Sequence, residues 1–364
     1  MGVGVKRLRK KQVDAKILSV NITVFTHTTP NVPSKDGISL ILYYIVRELG
    51  VTHTFHVVAL DQSPDIAAEL NKALDQQAVI YLHGPEAAKL VPQVVHYPRL
   101  VVGLIDAQSL KYQELAQKIP GTLAKRRWTK QAAWWSEFEQ TQLSQVNHII
   151  VGGENDRQAI IRHVSAKPFI SVIPNGVDGD YFSPDPQARK ELDVIYSGVM
   201  DQPSRIQAVV QFAKEVWPLV RTQCGSSRFL IVGKDPGKQI VKLAKQDPSI
   251  VVTGFVPEVR DWLRQAAVYV SPLHLRFGMR NTMLEAMACG LPVVGYAEAC
   301  VGLETSPIRK VSTPRDFADT TVQLLHDEAL RLQVGSLSRK YIEQHHAWST
   351  QAKLYEQIFN VCQS

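Results

Sequence analysis

The stretch FGMRNTMLEAMACGLPVVG, residues 277–295, decides the fold. It predicts a loop, a short helix, a stop and then a buried strand. Gly290 and Pro292 are residues that end a helix, and the residues after them are apolar. One charged residue, Glu285, stands among the apolar residues of this helix. Because a buried charge is costly without a partner, Glu285 is the first candidate for a functional residue.

The start of the same helix is suited to bind an anion, because a helix N-terminus carries free N–H groups and a partial positive charge. Gly278 permits close approach of the backbone, Asn281 is a candidate N-cap, and Arg280 offers a guanidinium for phosphate. Glu285 follows Asn281 on the same helix face, where it could accept hydrogen bonds from a ribose diol. We interpret the stretch as a nucleoside diphosphate site. Alternatively, Glu285 caps local backbone or pairs with Arg280.

The rest of the chain predicts two α/β domains. Its 364 residues exceed the roughly 250–300 over which a single hydrophobic core grows. Apolar strands alternate with helices up to residue 153, and the alternation restarts at residues 191–199. Such strands are typical of parallel sheets covered by helices on both faces. The predicted fold class is therefore α/β, with two doubly wound, Rossmann-like domains facing a central cleft.

The predicted boundary between the domains is a segment rich in Pro, Gly and Asp, residues 171–187, which is typical of a hinge. We assign residues 1–175 to the first domain and residues 188–345 to the second. Ligands bind at the carboxyl ends of the strands in such sheets, so the predicted site lies in the cleft. The DGD sequence at residues 178–180 is interpreted as a turn of the hinge.

Composition excludes several classes of protein. The chain is 45% hydrophobic and 21% charged, as in ordinary globular proteins. No apolar run reaches the roughly 18–20 residues of a membrane-spanning helix. The basic start of the chain lacks the apolar segment of a secretory signal. The four cysteines form no CxxC pair, which favours a reduced, cytoplasmic compartment.

The net charge of +7 lies mostly in the first half of the chain, because residues 1–175 hold 20 Lys and Arg against 14 Asp and Glu. A basic domain could face a membrane surface or an acidic ligand, or it could simply be solvated. Within it, KRRWTKQAAWW, residues 125–135, could form an interfacial membrane helix. We expect instead that its tryptophans pack the helix onto its own sheet, with the basic face in water.

Two motifs resemble glycosyltransferase family 4. VIPNGVDGDYFSP, residues 172–184, is followed about 100 residues later by GMRNTMLEAMACGLPVV, residues 278–294. Family members typically carry two glutamates separated by seven residues; Glu285 matches the second, and Phe277 stands in place of the first. The chain is more similar to a subgroup with the pattern GxxNKxxEAM, associated with exosortase/PEP-CTERM polysaccharide systems, although Thr282 replaces its lysine. The resemblance covers nearly the whole chain.

This resemblance implies a GT-B fold and a retaining glycosyltransferase that needs no metal or other cofactor. A hexose-type sugar would pass from a nucleoside diphosphate sugar on the second domain to a saccharide or lipid-linked acceptor on the first. The product would belong to a polysaccharide or glycoconjugate. Residues 346–364 would form a helix that crosses back to the first domain.

The implied partners are the nucleotide sugar, the acceptor and, through the basic first domain, the inner face of a membrane. We expect no nucleic-acid partner. One alternative is a degenerate GT-B protein that binds nucleotide sugars without turnover. Another is a different reaction on the same fold, such as sugar epimerisation.

The resemblance also implies roles for individual residues near the helix of the opening stretch. Glu285, one of two predicted catalytic residues, would hold the donor ribose. Arg280 and Asn281 would hold the diphosphate or the sugar, together with the backbone at Thr282 and Met283.

Further positions come from other parts of the resemblance. Gly198 begins a loop that in many relatives carries an Arg and a Lys for the diphosphate, and Arg205 is the nearest replacement here. The backbone of Val256 would touch the nucleobase, and Gly37 belongs to a loop that approaches the donor phosphates. Many relatives have a histidine near the sugar where this chain has Asp106. Asp106 is thus the second predicted catalytic residue, unless it only caps a helix.

Four histidines receive no functional role. His27 and His83 follow predicted strands and could line the cleft, but they are interpreted as loop residues. His345 and His346, near the end of the second domain, are not assigned to the site.

Overall fold

The computed structural model describes residues 19–30, 36–118, 121–164, 168–188, 191–200 and 202–363. Over these residues the chain forms two sheets of six strands each, and all neighbouring strands run parallel. The basic start of the chain lies outside the described residues.

The first sheet has the order β2-β1-β3-β4-β5-β6. Its strands are Asn21–Thr26 (β1), Thr54–Ala59 (β2), Val79–His83 (β3), Leu100–Ile105 (β4), His148–Val151 (β5) and Phe169–Val172 (β6). Its helices are Gly37–Leu49 (α1), Ile66–Asp75 (α2), Pro85–Ala88 (α3), Val91–Val94 (α4), Gln108–Lys118 (α5), Thr122–Thr141 (α6) and Glu154–His163 (α7), with a 3-10 turn at Leu143–Gln145. Strands β3 and β4 are buried along their whole length, as a sheet covered on both faces requires.

The second sheet has the order β12-β11-β10-β7-β8-β9. Its strands are Val194–Ser197 (β7), Phe229–Val232 (β8), Ile250–Gly254 (β9), Val268–Ser271 (β10), Val293–Tyr296 (β11) and Arg309–Val311 (β12). The remaining helices are Pro203–Gln211 (α8), Trp217–Gln223 (α9), Lys238–Gln246 (α10), Val259–Gln265 (α11), Asn281–Ala288 (α12), Pro314–His326 (α13), Glu328–His345 (α14) and Trp348–Gln363 (α15), with a 3-10 turn at Ala297–Ala299.

The segment of residues 203–223 does not form one regular helix. A π-helical segment, Phe212–Val216, joins α8 to α9. Pro218 stands in the first turn of α9 and has no N–H to donate, so the regular ladder of helical hydrogen bonds cannot run through it. The wider turn accommodates this missing donor.

Helix α15 packs on the first sheet beside α1. Trp348 stacks on Tyr44 with the ring centroids 4.8 Å apart, and Tyr355 and Phe359 are buried against the strands. Helices α2 to α7 cover the opposite face. The chain therefore passes between the two sheets twice, once after β6 and once between α14 and α15.

The tryptophans of α6 do not all pack onto their own sheet, so that prediction is only partly right. Trp135 lies in the core, but Trp128 is half-buried and stacks on Tyr112 of α5. Trp134 keeps 44% of its surface exposed. Helix α6 packs mainly along α5. In addition, consecutive residues on a helix, such as Trp134 and Trp135, point in directions about 100° apart, so they cannot both face the core.

Candidate functional site

Asp106 is turned toward the second domain by an unusual backbone at the end of β4. The preceding residue, Ile105, has φ +69, a left-handed conformation that is strained for a β-branched side chain. The Ile105 carbonyl accepts a hydrogen bond from the N–H of Gly152 at 2.7 Å, and the Asp106 N–H donates to Leu104 O at 2.9 Å. These two bonds hold the strained turn and direct the Asp106 side chain into the cleft.

Asp106 lies directly against the loop that leads into α12. Gly278 has φ +68, and a Cβ atom there would lie 3.2 Å from Asp106 Oδ1 and 3.4 Å from Oδ2. Burial raises the pKa of Asp106, while the charges of Lys111 and Arg280 act in the opposite direction. The structure therefore brings together three of the predicted site residues, Asp106, Gly278 and Arg280, from two domains.

A second buried carboxyl group, that of Asp156, lies close to Asp106. Asp156 of α7 accepts a hydrogen bond from the N–H of Ala107 at 2.8 Å. Burial, with the neighbouring charge of Asp106, raises the pKa of Asp156 to about 8. Sequence reasoning missed Asp156, because an acid in the first turn of a helix is ordinary. Its contact with Ala107 depends on how α7 packs beside α5, which begins directly after Ala107.

Helix α12 begins one residue earlier than the N-cap prediction requires. Asn281 is its first residue, Arg280 occupies the cap position, and no side chain caps the helix. The prediction of Asn281 as N-cap is therefore wrong. Its Oδ1 instead accepts a hydrogen bond at 2.7 Å from Nδ2 of Asn175, which lies between the two domains. Of the N–H groups at the start of α12, that of Met283 donates to Arg280 O at 2.9 Å; no side chain caps the helix, so those before Met283 can serve a ligand.

Arg280 presents an incompletely paired guanidinium to the cleft. Its Nε is buried and has no hydrogen-bond partner among the described residues. Its Nη2 lies 3.4 Å from Leu275 O, and its Cζ lies 5.6 Å from the ring centroid of Phe277. Phe277 is buried beneath this guanidinium.

Glu285 also lacks a partner. Within the described parts of the chain, its carboxylate accepts no hydrogen bond and forms no ion pair, with Arg280 or any other cation. Burial raises its pKa to about 7. The structure thus gives no support to the alternatives in which Glu285 caps local backbone or pairs with Arg280.

Gly37 lies opposite α12, at the start of α1. A Cβ atom at Gly37 would lie 3.5 Å from Nδ2 of Asn281. The Asp36 side chain caps α1 by accepting from the N–H of Ser39 at 2.8 Å. The N-termini of α1 and α12 consequently face each other across the cleft, and their partial positive charges point at the same space.

His83 fixes the first turn of α1, so its interpretation as a loop histidine is wrong. It is the fully buried last residue of β3. Its Nε2 lies 2.8 Å from Ile38 O, and its Nδ1 lies 2.8 Å from Tyr81 Oη. Because a carbonyl only accepts, Nε2 carries the proton and Nδ1 accepts from Tyr81. Burial lowers the pKa of His83 to about 4, so it is neutral. His27, in contrast, is an exposed loop residue.

His346 joins the two passages of the chain between the domains. Its buried ring donates from Nδ1 to Asn175 O at 2.8 Å, and its own carbonyl accepts from the N–H of Val177 at 2.8 Å. No sequence signal distinguished His346 from other helix-end histidines.

Residues 178–180 have the geometry of a turn. The Asp178 side chain accepts a hydrogen bond from the N–H of Tyr181 at 3.0 Å.

The remaining predicted residues lie at the strand ends of the second sheet. Gly198, with φ +148, follows β7, and Arg205 donates from Nη1 to Val199 O in the same loop at 3.1 Å. The hydroxyl of Thr282 accepts from Tyr269 Oη at 2.9 Å. The Met283 side chain is buried, so only its backbone can serve a ligand. Val256 follows β9 at the edge of the sheet and packs on the core.

Comparisons with known proteins agree with this architecture. Residues 191–327 match the family model for glycosyl transferases group 1. The gpi3 subunit of phosphatidylinositol N-acetylglucosaminyltransferase from Schizosaccharomyces pombe is 25% identical over 231 residues, 60% of this chain and 49% of that protein. A GDP-mannose-dependent α-(1-6)-phosphatidylinositol monomannoside mannosyltransferase from Mycobacterium tuberculosis is 25% identical over 207 residues, 50% of this chain and 54% of that protein. The matches therefore span about half the length of these curated relatives.

Solved structures match nearly the whole chain. Sucrose-phosphate synthase from Thermosynechococcus elongatus superposes with a TM-score of 0.72 at 18% identity, covering 94% of this chain and 100% of that one. HepE from Anabaena in complex with UDP-glucose gives a TM-score of 0.64 at 15% identity, covering 94% and 98%. These likenesses show that the chain has the GT-B fold, two Rossmann-like domains that face each other.

Proposed function

We propose that the protein is a glycosyltransferase that takes a sugar from a nucleoside diphosphate sugar bound in the cleft. One observation carries this proposal: two half-buried groups of opposite charge lack partners among the described residues, the Glu285 carboxylate and Arg280 Nε. Groups of this kind cost free energy unless a ligand satisfies them. A nucleoside diphosphate satisfies both, with its ribose diol on Glu285 and its diphosphate at the start of α12.

The donor would be held mainly by the second domain, residues 188–345. The N–H of Thr282 would donate to the diphosphate, together with the Arg280 guanidinium. The N–H of Met283, which donates to Arg280 O at 2.9 Å, would share its hydrogen with the diphosphate. Gly198 and Arg205 would line the phosphate side of the pocket, since Gly198 follows β7 and Arg205, in the first turn of α8, donates to Val199 O of the same loop.

The nucleobase and the far side of the diphosphate would contact other elements. The backbone of Val256, after β9, would touch the nucleobase. Gly37 would approach the phosphates from the first domain, because it faces Asn281 across the cleft. The positive end of α1 would then add to that of α12.

The chemical step would take place between Arg280 and Asp106. As the bond to the sugar breaks, negative charge develops on the leaving diphosphate. The guanidinium and the end of α12 stabilise that charge, so the proposed chemistry requires no metal ion or other cofactor. Asp106, against Gly278, would accept a hydrogen bond from a hydroxyl of the sugar. We propose retention of configuration from the resemblance to family 4.

The acceptor would lie on the first domain, residues 1–175. A saccharide or a lipid-linked intermediate fits the relatives named above, whose names include phosphatidylinositol acceptors. The sequence GMRNTMLEAM further suggests the exosortase-associated subgroup, which would place the product in a polysaccharide or glycoconjugate.

The test incubates the purified chain with UDP-glucose, UDP-N-acetylglucosamine and GDP-mannose and measures free UDP or GDP. Calorimetry with UDP and GDP then measures binding. We expect Glu285→Ala to weaken nucleotide binding by about 1.5–3 kcal/mol, the range for hydrogen bonds to charged groups. Glu328→Ala, at an exposed position of α14, is the matched control. Unchanged affinity of the Glu285 variant would remove the ribose assignment.

Phe277 favours a second candidate, a protein that binds nucleotide sugars without turnover. Its ring is buried under Arg280 at the position where relatives have a glutamate. Nucleotide binding without release of free nucleotide from any donor, across plausible acceptors, would support this candidate over the enzyme.

A further inference from the structure

Helix α6 carries an exposed face that combines cations with large apolar side chains. Leu123, Arg127, Lys130 and Trp134 recur at intervals of four, three and four residues, so they lie on one face of the helix. Leu123 is 81% exposed and Trp134 is 44% exposed. Arg126 flanks them and is also exposed. We name Leu123, Arg126, Arg127, Lys130 and Trp134 the basic stripe.

The charge of the basic stripe is not balanced. Residues 115–136 contain no Asp or Glu. Within the described ranges, Arg126, Arg127 and Lys130 form no ion pair. The Arg127 guanidinium lies over the ring of Trp128, with its Cζ 5.3 Å from the ring centroid. Another cation, Lys89, lies 5.9 Å from the ring of Trp134 but pairs with Glu86 at 2.6 Å, so the unpaired positive charge of the stripe is that of Arg126, Arg127 and Lys130.

The basic stripe lies beside the cleft. Helix α5 begins two residues after Asp106 and packs along α6 over most of its length. At the end of α5, Lys118 donates from Nζ to the carbonyl of His274, in the second domain. The paired helices α5 and α6 therefore extend from the proposed reacting centre to the surface that the basic stripe covers.

We infer that the basic stripe docks the protein on an anionic membrane surface. Cations along the helix neutralise lipid headgroups, while Leu123 and Trp134 enter the interface between headgroups and acyl chains. An acidic protein or a nucleic acid would pair with the cations but offers less apolar space for Leu123 and Trp134. This inference rests on the proposed function in one respect only: if the protein is a glycosyltransferase, its acceptor at the membrane would be lipid-linked. The docking itself requires no donor.

The experiment measures sedimentation of the protein with phosphatidylcholine vesicles that contain, or lack, an equal amount of phosphatidylglycerol. We expect binding only to the anionic vesicles, and weaker binding as salt rises, because salt screens exposed charges. Since each basic residue contributes about fivefold to binding near an anionic surface, Arg126→Gln/Arg127→Gln/Lys130→Gln should lower the partition coefficient about 100-fold.

The matched control is Lys238→Gln/Lys242→Gln/Lys245→Gln, which removes the same charge from three exposed positions of α10. It should retain most of the binding. Leu123→Ser, with all cations present, should reduce binding several-fold, because the side chain enters the interface. Thermal unfolding of each variant checks that the fold is intact.

Three results would overturn the inference: no binding to anionic vesicles, equal binding to neutral vesicles, or equal losses in the stripe variant and the α10 control. Competition by a single-stranded RNA that persists in the Leu123→Ser variant would point to nucleic acid and would also overturn it. Calorimetry with UDP and GDP on the stripe variant keeps the two proposals separate, because Glu285 and Arg280 are unchanged in it.

Discussion

Replacement of Glu285 by Gln should stabilise the free protein at neutral and alkaline pH. Burial raises the pKa of this carboxyl from its ordinary 4.5 to about 7 in the folded protein. The folded state therefore binds the proton more tightly than the unfolded state, and wild-type stability is lost as pH rises from about 4.5 to about 7. The loss is at most about 3 kcal/mol, because the carboxylate keeps some contact with water.

A Gln side chain has similar shape but never ionises, so the variant avoids this loss. We expect Glu285→Gln to match the wild type in urea unfolding near pH 4.5. It should be more stable, by up to about 3 kcal/mol, at pH 8. The control Glu328→Gln should show no such pH-dependent gain.

Nucleotide binding should change in the opposite direction. The neutral amide accepts weaker hydrogen bonds from a ribose than the carboxylate does, so calorimetry with UDP or GDP at pH 8 should show a loss of about 1–2 kcal/mol. In the wild type, affinity should rise with pH up to about 7, because the ionised form binds the diol, and this rise should disappear in the variant. A variant that is less stable than wild type at pH 8, or that binds nucleotide equally well, would refute the reasoning.

The remaining predictions concern the other side of the cleft. Asp106→Asn should lower the rate of sugar transfer much more than calorimetric nucleotide affinity; normal turnover would leave Asp106 as a helix cap. Gly278→Ala should reduce turnover, because it costs about 1 kcal/mol at positive φ and places a methyl against the Asp106 carboxylate; steady-state kinetics of Gly225→Ala, at an open surface position, provide the comparison. His83→Ala should raise KM for the donor more than it lowers kcat, since the first turn of α1 loses its anchor, and His83→Gln, which can still donate to Ile38, should recover part of the loss. Equal kinetics of the two His83 variants would contradict this role.

The described chain contains no helix with the length and apolar character that a membrane span requires. Groups of three or more His, Cys, Asp or Glu placed to hold a metal ion are also absent from the described residues. The proposed membrane contact is a surface contact, carried by exposed side chains of α6.

Several features followed from the sequence because their causes are local. The alternation of apolar strands with helices predicts two parallel α/β sheets, since each strand buried on both faces must be continuously apolar. Gly290 and Pro292 end α12 where the sequence predicts, because their backbone restrictions act within one turn. The start of α12, to within one residue, and the isolated charge of Glu285 could be identified in the same way.

Contacts between distant parts of the chain required the tertiary structure. Asn281 is a good cap by composition, yet its side chain binds Asn175, 106 residues away in sequence. The anchoring of Ala107 by Asp156 and of Ile38 by His83 depends on the packing of separate elements against the sheet. No local pattern encodes such contacts, because each partner alone is an ordinary polar residue. The sequence by itself determined the fold class and the helix that carries Glu285; only the tertiary structure decided which residues from the first domain face it.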